Sequence, residues 1–202
     1  PLPITVFPGE ELNLHIFEER YKQLILDIAK SKKSFGIPVI IDKKISEWGT
    51  EIEIIEIEKT HENGELDIRT KAQQVFRILE EINEIPDKLY QGAIINFPEN
   101  KIDVLPSKMK ILLKHVAVFH ETIDVMKKYK KPEAEMQSYD VAHHVGLSLE
   151  EEVFFLQLQN ETLRIDYLLT HLTKAIPKID ELNKLRDRIK LNGHFRKISS
   201  ED

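Results

Sequence analysis

Eight histidines and thirty-five acidic side chains are the groups in this 202-residue sequence that could hold a metal or carry a proton. His120-Glu121 begins the His-Glu-x-x-His pattern, in which two histidines on adjacent turns of one helix face bind zinc and the glutamate acts as base. Position 124 is Asp, so the second histidine is missing. His115 and His120 are five residues apart, which places them on different faces of a helix. His143 and His144 are adjacent and diverge. These spacings predict solvated or singly hydrogen-bonded histidines, with no metal and no cofactor. His15 alternates with Leu14 and Ile16, so in a strand it faces away from them. It is expected to orient neighbouring backbone or a carboxylate, with Glu18 the nearest candidate.

Nucleophilic chemistry fares no better. The sequence has no cysteine, no Gly-x-Ser-x-Gly elbow, and no glycine followed by Lys-Ser or Lys-Thr, which excludes a thiolate, that serine nucleophile and a phosphate-binding P-loop. Ser107, Ser138 and Ser148 each precede an apolar periodic run and read as helix caps. Glu150, Glu151 and Glu152 fall where a helix N-terminus favours negative charge. A non-enzymatic, binding role is therefore expected. Its candidate peptide-binding residues are the aromatics at strand ends, Trp48, Tyr90 and Phe97, with His15 and Phe17 beside the first strand. Aromatics there serve either as core plugs or as contact points for another chain.

Charge narrows the partners. With 35 acidic and 29 basic residues the formal net charge is −6, which opposes binding to phosphate backbones. Lys110, Lys114, Lys127, Lys128, Lys130 and Lys131 form a basic stretch that reads as a solvated face. No apolar window reaches the roughly 18 residues a membrane helix needs, and the start shows no signal-peptide pattern. Together with the missing cysteines, this gives a cytoplasmic expectation.

The elements that must position these residues fall into two groups. Leu12, Leu14 and Ile16 have the strand period of two. From Glu18 the period becomes helical, with Tyr21, Leu24, Ile25 and Ile28 on one face and Phe17 placed to pack back as a staple. Phe35 to Asp42 reads as a strand, with Pro38 marking an edge or a bulge. Ile52 and Ile54 face one way and Ile55 and Ile57 the other, a slip that predicts a bulge. Asn63-Gly64 predicts a tight type I′ hairpin. Strands follow around Leu66 to Thr70, Val75 to Glu80, and Tyr90 to Glu99. Many short strands with turn signals between them predict a closed or nearly closed barrel.

Beyond Pro98 the periods are helical. One helix of about five turns is expected from Ser107, a short one from Ser138 to Gly146, one opened by a Ser148–Glu151 capping box, and a long one from Asn160 with a kink or break at Pro177. Asn192-Gly193 would cap it. The expected organisation is a β-rich subdomain over 1–100, a helical subdomain over 107–193 and a frayed tail over 194–202.

The run "FPGEELNLHIFEERYKQLILD" resembles the opening of the Lon protease amino-terminal domain, through Phe7, Pro8, Gly9, Leu12, Leu14, His15, Ile16, Phe17, Glu18, Arg20 and Tyr21. Further along, Gly49-Thr50, Gly64, Arg69, Phe76 and Ile78 stand where that family has its recurring positions. Ala72 and Gln74 depart from its usual glycine and arginine. The resemblance implies an α+β fold, a PUA-like pseudo β-barrel with one early helix followed by a C-terminal helical bundle. Pro8, Gly9, Glu18, Arg20 and Tyr21 then form a structural motif. It further implies a free-standing substrate-binding module without the family's ATPase and peptidase, capturing unfolded or apolar protein segments. A protease or chaperone, or a second copy of the chain, would be its other partners. The alternative reading is a scaffold that docks one specific protein through its helical face.

Overall fold

The computed structural model describes residues 2–102, 106–127, 129 and 131–198, with 190–198 described by backbone alone. Its elements in order are β1 (Glu11–Ile16), α1 (Glu19–Ser31), β2 (Phe35–Ile41), β3 (Lys44–Thr60), β4 (Leu66–Ile82), β5 (Gly92–Asn96), α2 (Pro106–Thr122), a 3-10 turn (Glu133–Glu135), α3 (Tyr139–Ala142), α4 (Leu149–Gln157) and α5 (Glu161–Ile198). The fold is α+β, an antiparallel sheet followed by helices, as expected of a PUA-like pseudo-barrel.

The chain forms two compact units. The first comprises Pro1–Ile102 and Gly146–Asn160, the second Asp103–Val145 and Glu161–Asp202. Segment 146–160, which the helical period alone groups with the C-terminal helices, thus belongs with the sheet. Its Phe155 meets the Phe7 ring edge-on at 5.5 Å, and neither ring is exposed.

In the first unit the strand order is β1-β4-β3-β2, and β5 also pairs with β4. Arg77 is opposite both Trp48 of β3 and Asn96 of β5. β1 covers β4 from Leu66 to Lys71, and β5 covers it from Arg77 to Ile82. These two short strands therefore share one edge of β4, while β3 holds the other. The described strands do not form a closed barrel. Partial closure comes from the N-terminal segment, which bonds to edge strand β2 at one end and to β4 at the other. Leu2 bridges to β2, receiving the Ile40 N–H at 2.9 Å, and the Gly9 N–H reaches the Ala72 carbonyl at 2.9 Å.

Several local expectations hold for stated physical reasons. Pro38 sits in edge strand β2, beside a register shift, where its missing N–H costs no ladder bond. The slip in β3 is a bulge between Ile54 and Glu56. Others are corrected. Val75 to Glu80 is the second half of one 17-residue strand. The β3–β4 turn has only Gly64 at positive φ, 80°, after a turn closed by Gly64 N–H to His61 O. That is a three-residue loop with a left-handed glycine, not a type I′ turn. The type I′ conformation occurs instead at Asp42-Lys43, with φ of 48° and 64°.

The core of this unit joins Val6, Ile37, Ile52 and Ala72 to Leu2, Leu12, Leu14 and Phe35. A second cluster seats Ile25 of α1 against Leu66 and Ile68. In the second unit α2 packs along α5. Ser148 makes the full capping box with Glu151. Ser138 does not cap α3 with its side chain; its hydroxyl donates to Glu161 instead. Pro106 opens α2, where its missing N–H is harmless. That helix ends at Thr122, before Met126. α5 runs unbroken through Pro177 and past Asn192-Gly193 to Ile198. Lys128, Lys130 and residues 199–202 lie outside the described residues.

Candidate functional site

Alternation along β1 turns Leu12, Leu14 and Ile16 inward and leaves His15 half exposed. Its register partner on β4 is Asp67. His15 Nδ1 lies 2.6 Å from Asp67 Oδ1, and Nε2 lies 3.1 Å from Glu65 Oε2. Glu18 is not its partner: that carboxylate accepts from Arg20 Nε at 2.8 Å. His61, from the β3–β4 turn, brings Nε2 to 2.7 Å from Asp67 Oδ2. The hydrogen bond to Asp67 raises the pKa of His15 above its usual value; desolvation opposes it, and the charges of Asp67 and Glu65 add to the rise. The same bonds hold Asp67 below its usual value. Phe17 is not a staple on α1. It is 61% exposed, and its ring stacks on His15 at 6.3 Å between centroids.

The other aromatic candidates lie elsewhere. Trp48 is half-buried on β3 opposite Arg77, whose guanidinium lies 5.9 Å from its ring centroid and pairs with Glu47 at 2.9 Å. Phe97 follows Asn96, which faces Arg77 from β5, so Trp48 and Phe97 flank one row of three strands. The Tyr90 hydroxyl donates to Asp27 on α1 at 3.0 Å and ties the 83–91 loop to that helix. Ten residues of β4 separate Asp67 from Arg77, roughly 33 Å of strand. The five aromatic and histidine candidates thus divide into a His15–Phe17 group, a Trp48–Phe97 group and Tyr90.

Around Phe97 the surface is apolar and the backbone is available. β5 pairs with β4 on one side, and no strand among the described residues pairs with its other edge. Ile94, Ile95 and Phe97 are exposed, and so are Leu79 and Ile82 on β4 and Leu89 in the preceding loop. Leu79 falls within the register shift between Ile78 and Glu80. Exposed Glu80 and Glu81 face Ile94 and Ala93 across the ladder. An open strand edge with half-exposed side chains and an acidic border can add an extended segment from another chain. Leu79, Ile82, Ile94 and Ile95 were not among the sequence candidates. For Ile94 and Ile95 the signal was an apolar "AIIN" run in a strand too short to be central.

Residues 1–174 match the family described as the ATP-dependent protease La (LON) substrate-binding domain. The chain belongs to that family. Two solved structures share the fold of this LON domain. The Lon N-terminal domain protein from Xanthomonas campestris has a TM-score of 0.65 and 22% identity, with 84% of this chain and 96% of that chain covered. The N-terminal domain of Mycobacterium avium complex Lon protease has a TM-score of 0.57 and 11% identity, with 87% and 96% covered. Among curated proteins none matches significantly. Gly9 adopts φ 92°, the Phe7 N–H donates to the Glu10 carboxylate at 2.9 Å, and Arg20 lies 4.6 Å from the Tyr21 ring centroid. Among the described residues no helix is long and apolar enough to cross a membrane.

Proposed function

We propose that this LON substrate-binding domain captures unfolded, apolar protein segments by strand addition at β5, without breaking or making a covalent bond. The observation that carries the reading is the outer edge of β5, unpaired among the described residues and bordered by exposed Leu79, Ile82, Ile94, Ile95 and Phe97. Main-chain bonds along the five residues of β5 would supply affinity for any extended backbone. The apolar side chains would then select hydrophobic segments. Glu80 and Glu81 favour segments flanked by lysine or arginine, because opposite charge steers encounter and like charge repels. A cytoplasmic client pool of damaged proteins and delivery to a protease or chaperone fit this chemistry.

Titration with unfolded apolar peptides, followed by Trp48 fluorescence or heat, tests the proposal. The double variant Ile94→Asp/Phe97→Ala is expected to weaken binding at least about tenfold, the effect of losing one aromatic anchor. Equal binding by that variant would remove β5 from the account. Recovery of one stoichiometric protein from cells, with no peptide binding, would favour the scaffold reading instead.

A further inference from the structure

We propose that His15, His61 and Asp67 form a binding site for a divalent transition-metal ion of the zinc class, with Glu65 supporting it from behind. The three side chains come from β1, the β3–β4 turn and β4, and one donor atom from each lies within 4.8 Å of the others. Two imidazoles and one carboxylate form a borderline donor set that suits zinc, cobalt and nickel ions better than magnesium or calcium, which prefer all-oxygen shells.

The geometry needs little adjustment. Asp67 lies 2.6 Å from His15 Nδ1 and 2.7 Å from His61 Nε2. Zinc bonds of about 2.0–2.1 Å at a tetrahedral angle put neighbouring donors about 3.3 Å apart. Each histidine–Asp67 contact must therefore open by less than about 1 Å, and the two imidazole donors, which lie within 4.8 Å of each other, must settle at a similar spacing, which small side-chain rotations at a partly exposed site supply. His15 would bind through Nδ1 and donate its Nε2 proton to Glu65, 3.1 Å away. A carboxylate behind a ligating histidine in this way fixes its tautomer and raises its basicity. Each ligating nitrogen gives up its proton on binding: an imidazolium releases one to solvent, whereas a neutral ring moves it from Nδ1 to Nε2 on His15 and from Nε2 to Nδ1 on His61. The fourth position is left to water. The ion would clamp β1 to the β3–β4 hairpin at the end of the sheet away from Arg77, so this inference is independent of capture at β5.

Zinc titration by calorimetry of the full chain, cleared of metal by a chelator that is then removed, tests it, with cobalt absorption as the second readout. One equivalent is expected to bind at micromolar concentration or tighter, with the intense visible bands of tetrahedral cobalt. His61→Ala and Asp67→Asn should each abolish that equivalent, and Glu65→Gln should weaken it about tenfold or more. His115→Ala should leave it intact. Each variant's metal-free thermal midpoint controls for folding, and zinc should raise the midpoint of the wild-type chain but not of Asp67→Asn. If the titration shows no binding at about 100 μM zinc, or one equivalent that survives both His61→Ala and Asp67→Asn, the site does not exist.

Discussion

Glu161 carries a carboxylate almost wholly removed from water, and four hydrogen bonds converge on it: from the Ser138 N–H at 2.6 Å, the Ser138 hydroxyl at 2.7 Å, Arg164 Nε at 3.0 Å and the Arg164 terminal nitrogen at 2.8 Å. The Arg164 guanidinium in turn lies 4.2 Å from the Tyr139 ring centroid, and burial pushes the Tyr139 phenol up to about 12. Removing one partner of such a pair leaves the other charge buried, so Arg164→Met should cost about 3–5 kcal/mol in denaturant unfolding. The double variant Arg164→Met/Glu161→Met should recover part of that loss, because it leaves no stranded charge. At Gly49 the reason is steric. A Cβ there would lie 2.6 Å from the Ile37 carbonyl oxygen, the Pro38 Cα and the Phe76 ring. Two of those atoms are backbone and cannot rotate aside. Gly49→Ala should therefore lower stability by about 1–3 kcal/mol or more, readable as a fall in denaturation midpoint.

Among the elements, α1 is held to the sheet by apolar and polar contacts. Ile25 and Ile28 are buried, and Asp27 receives Lys88 Nζ at 2.7 Å and the Tyr90 hydroxyl at 3.0 Å. The Lys88 hydrogen bond, then that of Tyr90, holds the Asp27 carboxyl below its usual value of 3.8. A depressed carboxylate contributes stability above its unfolded value, and that contribution disappears as pH falls through the lower, folded one. Acid unfolding of Asp27→Asn should show a weaker pH dependence below about pH 4 than the wild-type chain. The sequence made α1 legible because its face repeats at the helical period and leads directly out of a strand with period two. The Ser148–Glu151 box was legible because capping is local. Long-range pairing was not. That β1 and β5 share one edge of β4 depends on pairing β1 with residues as far along the chain as Glu11 is from Lys71, and no periodicity encodes it. For the same reason His15 was recognisable as a polar residue seeking a carboxylate, while Asp67 and His61 as its neighbours were not. Ser138 looked like a cap and became a ligand of Glu161 because a buried charge competes more strongly for a hydroxyl than a four-residue helix does.

For the whole molecule, the path of the chain matters as much as its elements. The first unit is completed by Gly146–Asn160, supplied after the chain has entered the second. Phe155 covers Phe7, so residues 1–102 alone should expose that ring and unfold at lower denaturant. Phe155→Ala in the full chain should cost about 3–5 kcal/mol. On the proposed reading, a net charge of −6 and an apolar edge bordered by glutamates would favour hydrophobic segments with basic flanks over nucleic acid. In the proposed mode of capture such a segment adds itself as a strand beside β5. Amide hydrogen exchange with and without a bound apolar peptide tests it most directly. Slowed exchange concentrated at Gly92–Asn96, with little change along α5, is the predicted result; protection confined to the helices, with β5 unchanged, would contradict it.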